Sequence, residues 1–286
     1  MNLSLRVAAR TDKGCVRERN EDAFIAADLT RGDASASPRW SGRLLVGDGG
    51  ALLAVSDGMG GAQAGDLASA LVISSLAEAL AAQTTRSSQD RIAGAVEDAH
   101  NAVWTEACQR GIEMGATLTA AYVRGYEGSA AAYVAEVGDS RAYLLRAGQI
   151  TQLTKDQSYV QMLVDAGSVD ARSAQSMPFR NVILQAMGHQ PRVSVALGRL
   201  DLRLHDCLLI CSDGLTTELA DEEIRDAILT SEDLALASER LVDLANAHGG
   251  HDNTTVLLVG ASGDLPPPAH KEPIEKTYRV LETFEP

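Results

Sequence analysis

Leu118-Thr119-Ala120-Ala121-Tyr122-Val123, then Ala131 to Val137, then Ala142-Tyr143-Leu144-Leu145 are three apolar runs of strand length in succession. Two helical stretches stand immediately before them. In the first, Val72, Leu76 and Leu80 are spaced by four, with Leu67, Leu71, Ile73 and Ala79 beside them. In the second, Ser88 is placed to cap a helix carrying Ile92, Val96, Val103, Trp104 and Ala107, and Gly111 stops it. Strands and helices therefore come in blocks, whereas repeated β-α-β units would alternate. The pattern predicts an antiparallel α+β layered fold, with the two adjacent helices covering one side of a sheet.

Outward from this block, Asp22 to Ala26 reads as a short strand and residues 28–42 as a polar loop. The runs Arg43 to Val46 and Ala51 to Val55 flank Gly47-Asp48-Gly49-Gly50, which is a hairpin signal. Residues 156–188 mix short helical pieces with Gly167, Pro178 and Gly188 and are expected to form an irregular flap. A strand at Cys207 to Cys211, helices from Asp221 and over 233–247, and a strand at Thr254 to Val259 follow. After Gly263, Leu265-Pro266-Pro267-Pro268 opens a charged stretch without periodicity, expected to be a flexible tail. The expected organisation is one domain over residues 1–262 and a tail over 263–286.

The chain has 286 residues, 45% of them apolar, which excludes a wholly disordered polymer. Its 25 basic and 39 acidic residues give a net charge of −14. That excludes non-specific nucleic-acid binding, which needs a basic face, and attraction to anionic membranes. No apolar run stands out as a membrane span, and Met1 to Arg6 lacks a signal pattern, so a soluble, cytoplasmic monomer is expected. Cys15, Cys108, Cys207 and Cys211 form no C-x-x-C pair and are expected to stay reduced.

Three apolar strands run into an aspartate beside a glycine: Val55-Ser56-Asp57-Gly58, Glu136-Val137-Gly138-Asp139 and Cys211-Ser212-Asp213-Gly214. Asp252 stands just before the last strand, and Glu21-Asp22 opens the first. A lone Asp-Gly is ordinary turn chemistry, and Asp48-Gly49 reads that way. Asp57-Gly58 and Asp213-Gly214 instead precede helical segments, and a helix cap does not explain why Ser-Asp-Gly occurs twice. If these strand ends meet, two carboxylates at 4 Å repel by about 4 kcal/mol at an effective dielectric near 20. Such a cluster must take up protons or cations. Carboxylates without His or Cys favour Mg²⁺ or Mn²⁺, and a pair of such ions can activate water against a phosphoryl group. Arg17 lies on the same approach; taken alone it reads as a solvated surface charge, although a guanidinium can grip phosphate.

Gly14-Cys15-Val16-Arg17-Glu18-Arg19-Asn20-Glu21-Asp22 resembles the first motif of the PP2C (PPM) family of metal-dependent protein serine/threonine phosphatases. Asp57-Gly58-Met59-Gly60-Gly61 resembles the second, in its bacterial form. Met114 to Leu118, Val137 to Arg141, Leu153 to Asp156, Ser212 to Leu215 and Asp252 to Thr255 follow in family order. The resemblance spans residues 5–260. It implies a four-layer α-β-β-α sandwich with a metal centre at one end. It implies that Asp57 bridges two ions, that the Gly58 carbonyl binds one, and that Asp213 and Asp252 hold the second. Glu21 and Asp22 would bind through water, Asp139 with Asp213 would hold a third ion, and Arg17 would bind the substrate phosphate. The implied reaction is hydrolysis of phosphoserine and phosphothreonine in proteins, the products of a Ser/Thr kinase, by direct attack of metal-bound water.

Some positions depart from the pattern. Met59 stands where many eukaryotic relatives carry a histidine considered a general acid. Ala62 and Gln157 stand where bacterial relatives often carry histidine, and Ala116 replaces a common threonine. His248-Gly249-Gly250-His251 lacks the further soft ligands a zinc site needs. His100 is expected to be partly buried on the second helix. Two other functions compete: a catalytically weak phosphatase-like binding module, and a phosphohydrolase acting on nucleotides or small esters. The full set of aspartates counts against the first, and the absence of a Gly-x-x-x-x-Gly-Lys loop counts against the second.

Overall fold

The computed structural model describes residues 2–35, 37–60, 64–83, 86–174 and 177–285. Strands β1 (Leu3–Asp12), β2 (Asp22–Asp28), β3 (Asp33–Ser35), β4 (Arg39–Leu45) and β5 (Ala51–Met59) precede the helices α1 (Ala64–Ala82) and α2 (Ser88–Arg110). Then come β6 (Gly115–Ala116), β7 (Leu118–Tyr126), β8 (Ser129–Val137), β9 (Arg141–Arg146) and β10 (Gln149–Gln152). The flap carries α3 (Tyr159–Asp165) and α4 (Ala171–Ala174). Next are β11 (Ala196–Asp201), β12 (Cys207–Cys211), α5 (Asp213–Thr216), α6 (Asp221–Leu229) and α7 (Leu234–His248). β13 (Thr254–Gly263) and β14 (Tyr278–Glu282) complete the chain.

These strands make two antiparallel sheets. One is six-stranded, in the order β10-β9-β12-β13-β1-β4; the other is eight-stranded, in the order β14-β11-β8-β7-β5-β2-β3 with β6 on β5. The apolar run of β5 shows why they stack. Successive side chains point to opposite faces of a strand. Leu52 and Ala54 pack toward α1 and α2, while Ala51, Leu53 and Val55 pack toward the other sheet. A third core joins the outer face of the six-stranded sheet to α6 and α7 through Leu209, Ile224, Leu241 and Leu258. The result is the expected α+β sandwich of four layers, α-β-β-α.

Four local expectations differ from the structure. The runs around Gly47 to Gly50 are not a hairpin: β4 pairs with β1 and β5 with β2 and β7, so the chain crosses between sheets there. The turn residues bend the chain as their chemistry predicts, but they do not select which strand each arm joins. The polar stretch 28–42 holds β3 and the start of β4. Helix α2 is capped by Ser87, whose side chain accepts from the Asp90 N–H, rather than by Ser88. Helix α1, with mean hydropathy 1.4, is long and apolar enough by composition to cross a membrane, contrary to the sequence expectation. Here its Ala68, Val72, Leu76 and Leu80 face, 0% exposed, packs on the sheet.

The segment after Gly263 also differs from the flexible tail expected. Leu265 is buried, the Leu204 N–H donates to the Pro266 carbonyl at 2.9 Å, and β14 pairs antiparallel with β11. The Tyr278 hydroxyl donates to the Leu153 carbonyl at 2.7 Å. The reason is tertiary: β11 presents an open edge that a short, non-periodic segment can satisfy.

Candidate active site

The antiparallel register of β2 and β5 sets Asp22 directly opposite Asp57. Like charges in that relation are destabilising, and the surroundings add more of the same sign. Ser212, at the end of β12, and Thr255, on β13, both donate hydroxyl hydrogen bonds of 2.7 Å to Asp22 Oδ2. These bonds tie the six-stranded sheet to the eight-stranded one and bring Asp213 and Asp252 to the Asp22–Asp57 pair. Asp139 joins them from the end of β8.

Electrostatics show the convergence. Burial first, and then the fields of Asp22, Asp213, Asp139 and Asp252, hold the Asp57 carboxyl well above the usual carboxylate range. Burial pushes Asp22 up to about 7, against the pull of its two hydroxyl donors. Asp213 is raised to about 6 by burial and by Asp252, and Asp139 is raised well above its ordinary value by burial and by Asp213. Glu21 is raised by burial and by Asp66. Asp22 Oδ1 and Asp213 Oδ1 are buried and have no hydrogen-bond partner. Orphaned oxygens in a mutually repelling, all-oxygen donor set are what hard divalent ions relieve. Among the described residues no three His, Cys, Asp or Glu side chains close into a metal cage. An open arrangement suits Mg²⁺-like ions, which keep several waters and take few carboxylates.

Glycines set how close the pieces come. A Cβ on Gly58 would meet the Gly65 carbonyl oxygen at 2.0 Å, and one on Gly65 would meet Glu21 Oε2 at 2.7 Å and the Gly58 carbonyl oxygen at 2.9 Å. The start of α1 thus admits the Glu21 carboxylate and the Gly58 carbonyl side by side. Arg17, half exposed, lies at the rim and donates to Asp252 Oδ2 at 2.6 Å. Every site residue expected from the sequence therefore lies at this one end of the sandwich. Gly61 and Ala62 lie outside the described residues.

Beside the aspartates runs a cleft of about 770 Å³, lined by Asp139 and Asp213 and walled on one side by Val160, Gln161 and Val164 of the flap. Arg141 lines it too, gripping Asp156 through two hydrogen bonds of 2.7 Å. That fork joins two of the motifs quoted above, a link their separation in sequence did not show.

Other supporting residues had no role assigned from the sequence. Asn253 accepts from the Glu21 N–H at 2.7 Å and donates to the carbonyls of Lys13 and Arg19, clamping the loop that carries Arg17. Thr117 Oγ1 accepts from the Asp57 N–H at 2.9 Å. Both stood inside the motifs, which was the available signal. His100 is buried rather than partly exposed, and its Nδ1 accepts from the Gly188 N–H at the far end of the flap. His251 pairs with Glu218 at 2.7 Å.

Comparison with known proteins places these features in a family. The chain is 38% identical over 261 residues to the serine/threonine protein phosphatase PstP of Mycobacterium tuberculosis, covering 90% of this chain and 45% of PstP. The chain thus spans less than half the length of that relative. It is 31% identical over 256 residues to the serine/threonine phosphatase stp of Listeria welshimeri, covering 87% of this chain and 93% of that one. The crystal structure of the PstP catalytic domain in complex with two manganese ions superimposes with a TM-score of 0.74 at 35% identity, over 91% of this chain and 100% of that one. The family described as Protein phosphatase 2C matches residues 25–247, a span that includes Asp57, Asp139 and Asp213. On that match, across both sheets that deliver the acidic strand ends, the chain belongs to the protein phosphatase 2C family.

Proposed function

We propose that this chain is a metal-dependent protein phosphatase that hydrolyses phosphoserine and phosphothreonine in proteins. The observation that carries the proposal is the gathering of Asp22, Asp57, Asp139 and Asp213, whose carboxyls burial and mutual repulsion raise above the ordinary carboxylate range. The two manganese ions in the PstP catalytic domain support Mn²⁺ or Mg²⁺ as the cofactor. When bound, such ions supply Lewis-acid activation of water and neutralise phosphoryl charge.

The chain's own residues do the rest. Asp57, Asp213, Asp252 and the Gly58 carbonyl would hold two ions, Glu21 and Asp22 would reach them through water, and Asp139 with Asp213 would hold a third. Arg17, whose guanidinium hydrogen-bonds Asp252 at the rim and is half exposed, can turn toward a phosphate oxygen and fix the ester beside the aspartates. Met59 offers no proton, so the leaving alkoxide takes one from water or from another group. The substrates are phosphoproteins made by a Ser/Thr kinase, and the enzyme works as a cytoplasmic monomer. The four free cysteines fit a reducing compartment.

Purified chain in Mn²⁺, offered a phosphothreonine peptide and nucleoside triphosphates side by side, tests this. Release of phosphate from the peptide, abolished by chelator, is expected. Preferential hydrolysis of nucleotides would assign a different phosphohydrolase, and binding of the peptide without turnover would leave a recognition module.

A further inference from the structure

A second pocket, of about 180 Å³, lies between the base of the flap and the C-terminal strand. Among the described residues, only Asp156 and Ser158 line both it and the catalytic cleft. Val134, Met162, Leu184, Leu197 and Val280 make its wall mainly apolar. Set in that wall is the carboxyl of Glu136, a residue 3% exposed. Its Oε2 accepts from the Lys155 N–H at 3.1 Å, and its Oε1 has no hydrogen-bond partner. The neighbouring charges are paired elsewhere: Asp156 with Arg141, and Lys155 Nζ with Asp165 at 2.7 Å. Burial pushes the Glu136 carboxyl well above its ordinary range, and the fields of Asp156 and Asp139 add to this against the pull of the Lys155 N–H and of Arg141.

We propose that this pocket binds a small amphipathic amine, with an apolar body of one ring's size and a single ammonium that pairs with Glu136. A cavity of about 150 Å³ holds benzene, so this volume suits a ring with a short arm. The ammonium brings the donor that Oε1 lacks and a positive charge closer than Arg141's, which favours the ionised form of a carboxyl that burial pushes toward neutrality. A neutral ligand of the same shape supplies only the donor, and an anionic one opposes the carboxyl.

The site is wired to the catalytic cleft by Gln157, which also stands in the pocket wall. Its Oε1 accepts from the Gly138 N–H at 2.8 Å and from Gln185 Nε2 at 2.7 Å, and its Nε2 donates to the Glu136 carbonyl at 3.2 Å. Both ends of the flap and the turn that presents Asp139 thus meet at one side chain bordering the pocket.

The test is an amide NMR titration of the full chain with phenethylamine, alongside 2-phenylethanol and 3-phenylpropionate as neutral and anionic probes of similar shape. Saturable shifts are expected at Val134, Leu184 and Val280, reaching Gly138 through Gln157. Glu136→Gln is expected to weaken phenethylamine roughly tenfold, the worth of one charge-assisted hydrogen bond, and to leave 2-phenylethanol unchanged. Ala196→Phe, or Ala196→Trp where it folds, is expected to abolish binding by filling the pocket, since Ala196 lines it directly opposite Glu136 on the neighbouring strand. Absence of saturable binding, shifts scattered over the acidic surface, or an affinity indifferent to Glu136→Gln would each overturn the proposal. The readout is binding rather than turnover, so it stands or falls apart from the phosphatase reading.

Discussion

Asp57 and Asp213 are the side chains whose loss should be felt most. Asp57→Asn or Asp213→Asn is expected to abolish Mn²⁺-dependent turnover of an aryl phosphate, and wild-type rates in either variant would contradict the metal assignment. Arg17→Ala should raise KM for the phosphoester while leaving the Mn²⁺ concentration for half-maximal activity near wild type. Equal losses in both would deny separate roles. Asp22 makes a prediction about pH. Its folded-state pKa of about 7 stands above the ordinary carboxylate value near 4. The folded, metal-free protein therefore holds a proton that the unfolded chain releases, so this contribution to stability is full below about pH 4 and is lost as pH rises toward 7. In chelator, the melting temperature of Asp22→Asn minus that of wild type should grow more positive over that interval. A difference independent of pH would refute the shift. These acidic residues were legible in the sequence because each stands beside a glycine or at a strand end. Asn253 and Thr117 were not, since their work is to hold other residues' backbone.

Strand β14 is the element the sequence least announces. Tyr278 packs over Gly198, where an added Cβ would meet the phenol oxygen at 2.1 Å, and its hydroxyl reaches the Leu153 carbonyl. Tyr278→Phe should lower stability by about 1 kcal/mol in urea unfolding, the usual worth of one such hydrogen bond. Tyr278→Ala, which also removes the ring, should cost more, and a wild-type midpoint in both would mean that β14 contributes nothing to the folded domain. The helices and the central strands could be read locally, from spacing by four and from unbroken apolar runs. Strand β14 could not, because its five residues carry no periodic signal and owe their conformation to the edge of β11. The pair β4 and β5 failed in the opposite way: a correct turn signal joined two strands that belong to different sheets.

Across the whole molecule, Arg146 links distant parts of the chain. From β9 it grips Asp206 with hydrogen bonds of 2.7 and 2.6 Å, and it donates to Thr277 Oγ1, just before β14, at 2.6 Å. Both charges of the pair are buried. Arg146→Ala would strand the Asp206 carboxylate and is expected to cost about 3–5 kcal/mol. The double variant Arg146→Met with Asp206→Leu should be markedly more stable than that single variant, and the cycle in chemical denaturation measures the coupling. Additive effects would show that the pair does not act as a unit.

By itself the sequence determined the layered α+β class, the acidic strand ends and their likeness to a phosphatase family, because apolar period and turn chemistry are local properties. Only the tertiary structure decided that Asp22 faces Asp57, that Gln157 gathers both ends of the flap, and that the C-terminal segment closes a sheet edge. Strand register and sheet membership are set by partners far along the chain, and no window of neighbouring residues encodes them.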